Sequence, residues 1–331
     1  MSTATTIAFF NNKGGVGKTS LVYHLAWMYA DLKVRVVAAD LDPQANLTAA
    51  FLDEDRLEEL WPEKNHPNTV FGCVQPLLKG VGDISKPHLE PIEDTLALLV
   101  GDLALSGFED ELNSQWPLCL DRKERAFRVI SAFWRIICQA AKEHQAEIIL
   151  MDLGPNLGAI NRAALIASDY VVIPLCPDLF SLRGLQTSGP TLRRWREEWA
   201  KRLRENPEPE LTLPAGKIEP AGYIVLQHSE RFNRPVAAYD RWIARIPGAY
   251  RQDVLDVPDV EGLSVKDDPH CLMLLKHYRS LMTMAQEAKK PIFHLKPADG
   301  AIGAHMQAVQ SAWKDFNKLA SKIAERVGVR L

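Results

Sequence analysis

Short, continuous apolar runs alternate with longer stretches of helical periodicity along this chain. Apolar runs at 5–10, 34–39, 96–100, 148–151, 170–174 and 223–226 predict buried strands. Between the first two, Leu21, Leu25, Met28 and Leu32 recur at helical spacing and predict a helix over about 18–31. Further helices are predicted at 182–203, which is long and highly charged, and at 305–331. Strands that are apolar on both faces suit a parallel sheet covered on both sides. The pattern therefore predicts an α/β fold with a mostly parallel central sheet and helices on both faces.

Two stretches depart from that rhythm. Residues 204–220 carry four prolines and predict a loop. Residues 51–115 hold fourteen acidic and four basic side chains, a balance of −10, and read as an acidic surface elaboration with a solvated face. No internal repeat or low-complexity tract interrupts the chain, so residues 1–331 read as one domain.

Composition narrows the function classes. A 47% hydrophobic and 24% charged chain supports a packed core. A net charge of −3 excludes a protein that coats nucleic acid over its whole surface, so any such contact must be a local patch. The cysteines, Cys73, Cys119, Cys138, Cys176 and Cys271, have no metal-binding spacing and read as reduced thiols of a cytoplasmic protein. No signal peptide is expected from the first residues, and no apolar run is long enough to cross a bilayer.

The chemistry is concentrated where the first strand meets the first helix. Residues 10–20 read Phe-Asn-Asn-Lys-Gly-Gly-Val-Gly-Lys-Thr-Ser. A strand ending in Gly14, Gly15, Val16 and Gly17 and opening into a helix surrounds an anion with backbone N–H groups. Lys18 is expected to reach the β- and γ-phosphates, the Thr19 hydroxyl to ligate Mg²⁺, and Ser20 to follow in the first helical turn. Asn12 stands where such loops ordinarily open with Gly. A second lysine, Lys13, lies five residues before Lys18; on spacing alone it also fits an ordinary exposed loop lysine.

Two further strand ends carry acids. Asp40 and Asp42 flank Leu41 before Pro43 and Gln44, at the end of a parallel strand where ligands bind in such sheets. Asp42 before Pro43 also fits a helix start. Asp152 ends the run 148–151 and fits the acid that binds Mg²⁺ directly or through water.

With its additional lysine, this loop resembles the deviant Walker A ATPases, the ParA/MinD family, and most closely the ParA branch. That family tolerates Asn at the opening position. The resemblance covers roughly residues 5–250, with the motifs in order. It implies a Mg²⁺-dependent ATPase in which Lys13 crosses an ATP-sandwiched homodimer to the partner's phosphates. It implies that Asp42 orients the attacking water and that Asp40 lies near the metal. The segment 154–158 resembles the family's γ-phosphate-sensing loop, with Gly154 a departure from the usual Pro or Ala. The stretch 175–185 resembles one that starts a helix at the dimer interface, and Gln227 lies where the base is often contacted. The segment 277–303 resembles a ParA-type ending without a chemical role of its own.

Partners follow from charge and from the resemblance together. Residues 181–251 carry thirteen basic and eight acidic side chains, a balance of +5. ParA relatives bind nonspecific DNA through such a region, and Arg231, Arg234, Arg241 and Arg245 are the candidates here. A solvated helix surface is the plain alternative. A partner protein that stimulates hydrolysis is also implied. In the last helix, Lys314, Lys318, Lys322, Arg326 and Arg330 flank an apolar stripe of Phe316, Leu319, Ile323 and Val327. Packing on the sheet is the favoured reading of that stripe, and an anionic membrane surface, as in the MinD branch, the rival. The expected role is an ATP-driven dimerisation switch in DNA partition or cargo positioning. An ATP-dependent metabolic ligase on the same fold is a second rival. A redox relative of the nitrogenase iron protein would need cysteine pairs that are absent.

Overall fold

The computed structural model describes residues 4–227, 236–278 and 280–331. Among them eight strands form one sheet: β1 (Thr5–Phe9), β2 (Val36–Asp40), β3 (Glu90–Glu93), β4 (Leu96–Leu99), β5 (Ile148–Asp152), β6 (Tyr170–Leu175), β7 (Glu219–Gln227) and β8 (Cys271–Lys276). Their spatial order is β3-β4-β2-β5-β1-β6-β7-β8. Every neighbouring pair is parallel except β3 with β4, so the sheet is mostly parallel, as the apolar runs predict.

The helices are α1 (Lys18–Asp31), α2 (Asn46–Phe51), α3 (Glu54–Leu60), α4 (Val70–Lys79), α5 (Glu109–Leu118), α6 (Glu124–Ile130), α7 (Ala132–His144), α8 (Ala159–Ile166), α9 (Leu179–Leu203), α10 (Val236–Ile243), α11 (Ile246–Ala249), α12 (Ser280–Ala288) and α13 (Ala304–Val327). They cover both faces of the sheet. Successive strand residues point to opposite sides. Ile7, Phe9, Val36 and Ala38 bury against α1, α12 and α13. Ala8, Val37, Ala39 and Ile149 bury against α4 to α8 and the distal half of α9. A smaller core joins β6 and β7 to the start of α9 and to Ile246, Tyr250 and Val254.

The register brings the functional strand ends together. Phe9 and Asp40 both pair with Asp152, so the C-terminal ends of β1, β2 and β5 lie side by side. In an open parallel sheet that edge is the ligand-binding edge.

Departures from the predicted elements have local causes. β7 begins at Glu219, inside the proline-rich stretch, because Pro220 occupies a position where the ladder shifts register between Val171 and Val172. The loop before it folds over Trp199, whose Nε1–H donates to the Pro214 carbonyl at 2.9 Å. Helix α9 starts at Leu179 rather than 182 because the Asp178 carboxylate accepts from Ser181 N–H at 2.8 Å and caps it. The acids of α3 face solvent as expected, but the 51–115 segment also supplies β3 and β4 and buries Val74, Phe108 and Leu112. Phe316, Leu319, Ile323 and Val327 of α13 are buried in the core, and the Tyr29 hydroxyl donates to the Ala320 carbonyl at 3.0 Å. No helix among the described residues is long and apolar enough to cross a membrane.

Candidate active site

The phosphate loop joins β1 to α1 over residues 10–17. Gly15 and Gly17 adopt φ of 71° and 77°, a left-handed backbone that glycine enters without a Cβ clash. Asn11 anchors the turn from beneath. It is buried, its Nδ2 donates to the Pro174 carbonyl at 2.7 Å, and its Oδ1 accepts from Lys13 N–H at 2.9 Å. From the first residue of α1, Lys18 folds back into the loop and donates to the Asn11 carbonyl at 3.1 Å. Burial lowers the Lys18 pKa, and the negative charges of Asp152 and Asp42 partly restore it. An ammonium held this way has donors to give to phosphate.

Around Lys18 the three strand-end acids have distinct environments. Asp152 is fully buried, and neither carboxylate oxygen has a hydrogen-bond partner. Burial and the Asp40 charge raise its pKa well above the usual range, and the nearby Lys18 charge offsets only part of that. An orphaned carboxylate is costly to bury unless a cation joins it. Asp152 with Thr19 thus fits a hard dication such as Mg²⁺, which takes one or two protein oxygens and completes its shell from phosphate and water. Among the described residues no cluster of three or more His, Cys, Asp or Glu could hold a metal ion by itself.

Asp40 is engaged differently. Its Oδ2 accepts from Thr48 N–H and the Thr48 hydroxyl, both at 2.8 Å, and its Oδ1 from Asp42 N–H at 3.3 Å. The structure thus turns this acid toward the start of α2, where it fixes the segment 42–48. Asp42 accepts from Gln44 N–H at 3.0 Å through Oδ1 and borders a cleft of about 700 Å³. The phosphate loop, α1, Gln44, α2, Pro155 and α12 line the rest of that cleft.

Lys13 offers its carbonyl to the Lys18 ammonium at 3.4 Å, but its own side chain goes elsewhere. Its ammonium lies 2.5 Å from Asp178 Oδ2 and 6.0 Å from the Phe180 ring centre, and Phe180 is 70% exposed. Burial pushes the Asp178 carboxyl up, but hydrogen bonds from Lys13 and Ser181 outweigh it and hold the pKa below the usual range. The start of α9 presses onto the loop, since a Cβ at Gly184 would lie 2.9 Å from Asn12 Oδ1. That oxygen is buried without a partner.

The remaining expected site residues divide. Gly14, Val16 and Ser20 line the cleft. Gln227 ends β7, opposite Lys276 in the register. Leu226 beside it reaches the loop, and a Cβ at Gly17 would lie 2.8 Å from it. Arg231 and Arg234 lie outside the described residues. Arg241 and Arg245 are exposed and flank Trp242, at 5.0 and 5.5 Å from its ring centre. Part of the basic excess in 181–251 is internal: Arg202 is buried and donates to the Trp116 carbonyl, and Lys217 pairs with Asp169.

No motif marks the roles of Asn11, Thr48 or Asp178. Asn11 had a signal of its own, a polar residue closing an apolar strand. Thr48 acts through Asp40, eight positions back across the strand end, and Asp178 through Lys13, 165 positions away, and no local pattern encodes either pairing.

Comparison with known proteins fits this arrangement. A family model described as an AAA domain (AAA_31) matches residues 4–205. Protein IncC of Escherichia coli is 30% identical over 199 residues, 60% of this chain and 48% of that protein. The sporulation initiation inhibitor protein Soj of Bacillus subtilis is 29% identical over 188 residues, 56% of this chain and 64% of Soj. The chain thus spans about half to two thirds of the length of these relatives. The complex of Cyanothece McdA with ATP superposes with a TM-score of 0.64 at 14% identity, over 100% of this chain and 99% of that one, a likeness of fold. Because the match takes in the phosphate loop, both acidic strand ends and the start of α9, the chain belongs to this AAA_31 family and, with its ParA-family relatives, to the ParA/MinD-type P-loop ATPases.

Proposed function

We propose that the protein is a Mg²⁺-dependent ATPase whose ATP-bound form is a homodimer, acting as a switch in DNA partition or cargo positioning. The observation that carries this reading is the division of labour between two lysines of one loop. Lys18 turns inward to the phosphate cradle, whereas Lys13 turns outward to the exposed start of α9. A second cation at the rim of its own site, rather than in its cradle, supports the reading that it serves a neighbouring molecule's site. In this reading residues 1–331 act as one unit, supported by β7 and β8 extending the same sheet beyond residue 205.

Each residue then has a step. Backbone N–H groups from Gly14 to Thr19 hold the phosphates, and Lys18 neutralises the β- and γ-oxygens. Thr19 and Asp152 would hold Mg²⁺, which supplies charge neutralisation on the phosphates when bound. Asp42 accepts a hydrogen bond from the attacking water and aligns it. Asp40 fixes Asp42 through the 42–48 segment rather than serving as a metal ligand. Lys13 of the second copy adds charge to the transition state, so turnover waits for assembly.

DNA is the proposed surface, supported by Arg241 and Arg245 exposed beside Trp242. A membrane surface has less support because the apolar stripe of α13 is buried. A partner protein that stimulates turnover belongs to the same proposal. The test is sedimentation of the protein with ATP, with ADP and without nucleotide, each with and without duplex DNA across a salt series. Association and DNA binding with ATP alone, the latter weakening as salt rises, are expected. Equal DNA binding in ADP and ATP, or a monomer in ATP, overturns the proposal.

A further inference from the structure

Glu109 reaches from the first turn of α5 to the start of α8. Its Oε1 accepts from Ala159 N–H at 2.5 Å and its Oε2 from Ile160 N–H at 2.9 Å. The residue that opens α8 is Gly158, which has no side chain to cap the helix. A carboxylate from a different helix therefore satisfies two first-turn amides, at the end of α8 that favours negative charge. The fit is close: a Cβ at Gly158 would lie 2.6 Å from Glu109 Oε1 and 2.9 Å from Asn156 Oδ1.

The loop that these groups hold meets the reacting end of the cleft. A Cβ at Gly154 would lie 3.1 Å from Asp42 Oδ1, and Pro155 borders the nucleotide cleft beside Gly14. Asn161 braces the loop from within, its Nδ2 donating to the carbonyls of Gly154 at 2.8 Å and Asn156 at 2.7 Å. The loop 154–158 is thus suspended between Asp42 at one end and Glu109 at the other. Glu109 itself rides on α5, which is anchored in the core by Leu112 and Trp116.

We infer that Glu109 is a positioning residue for hydrolysis, clamping the start of α8 so that the 154–158 loop sits at the height Asp42 requires. The inference rests on the ATPase reading above. It also gives the acidic 51–115 segment a role in turnover.

Three measurements on the full chain test it with Glu109→Ala and Glu109→Gln: ADP affinity, ATP turnover, and amide hydrogen exchange of a peptide covering 154–166. Loss of the carboxylate should speed exchange at residues 159 and 160 about tenfold and lower kcat by roughly 10- to 100-fold, because a misplacement of about 1 Å near a reacting centre costs up to about 100-fold. ADP affinity should stay within about twofold, since the loop does not hold the inner phosphates. Gln, which keeps one oxygen acceptor, should recover part of both losses. Retained ADP binding shows that the variants fold. Unchanged exchange in Glu109→Ala, or faster exchange with unchanged kcat, overturns the inference. Absence of turnover in the unsubstituted chain overturns the ATPase reading itself, and the exchange result still shows whether the clamp exists.

Discussion

Lys13 and Asp178 form an ion pair at 2.5 Å, with the lysine side chain 27% exposed and the aspartate 13%. The same carboxylate caps α9 through Ser181. One acid therefore holds both the outward lysine and the first turn of the helix that borders it. For Lys13 to reach a second molecule's phosphates this pair must open.

Asp178→Asn separates the two duties, because Asn caps a helix about as well as Asp but carries no charge. Folding stability should fall by no more than about 1 kcal/mol, the scale of a partly exposed ion pair. ATP-dependent self-association should tighten several-fold once Lys13 is released. Measured by sedimentation at graded protein concentration, weaker association in Asp178→Asn would show that the pair assists assembly instead of opposing it.

Lys18 and Asp42 border one cleft but should fail differently. Lys18→Ala removes the ammonium that closes the phosphate loop and should abolish ATP binding. Asp42→Ala leaves that loop intact, so ATP should still bind while hydrolysis falls by roughly 100-fold or more, the usual scale for a lost proton acceptor. The ATP-bound dimer should then accumulate. Equilibrium binding of a fluorescent ATP analogue beside single-turnover hydrolysis distinguishes the two. An Asp42→Ala protein with ordinary turnover removes the residue from the mechanism.

Much of this site is readable along the chain, because its parts end strands. Gly14 to Ser20, Asp40, Asp42 and Asp152 each follow a short apolar run, and parallel pairing necessarily collects such ends on one edge. What the sequence hides is made by contacts across long separations. Asp178 meets Lys13 across 165 positions, and Glu109 meets Ala159 across 50. β8 is also obscure: Cys-Leu-Met-Leu-Leu lacks both the β-branched enrichment of a strand and the length of a helix. β3, with a proline and two glutamates in four residues, looks like a turn because it is a charged antiparallel edge.

The buried strand-end acids should make stability depend on pH. Burial pushes Asp40 up to about 7 against the opposing Thr48 hydrogen bonds, and burial and the Asp40 charge raise Asp152 as well. The unfolded chain gives up these protons near pH 3.9, whereas the folded chain keeps them longer. Stability from this source is therefore full below the unfolded pKa and is lost as pH rises through about 7. Mg²⁺ with ADP needs the ionised site, so the rise in Tm it produces should be larger near pH 8 than near pH 6. Asp40→Asn should flatten the dependence. Equal ligand-induced shifts at both pH values would mean that the acids do not titrate together with ligand binding.

Gly184→Ala sets two effects against each other inside α9. Alanine favours a helix interior by about 0.8–1 kcal/mol over glycine. The added methyl would nonetheless lie 2.9 Å from Asn12 Oδ1 and 3.3 Å from Asn11 Oδ1. Asn11 cannot yield without loosening its bonds to Pro174 and to Lys13 N–H, so the strain passes into the phosphate loop. Folding stability should stay within about 1 kcal/mol of the parent, while ADP affinity drops about tenfold. Gly189→Ala supplies the contrast: its methyl would lie 2.2 Å from the Asp253 carbonyl, far from the loop, and should lower stability while the remaining folded protein binds nucleotide normally. If calorimetry and ADP titration show the two variants failing in the same way, α9 does not transmit its position to the phosphate loop through Gly184.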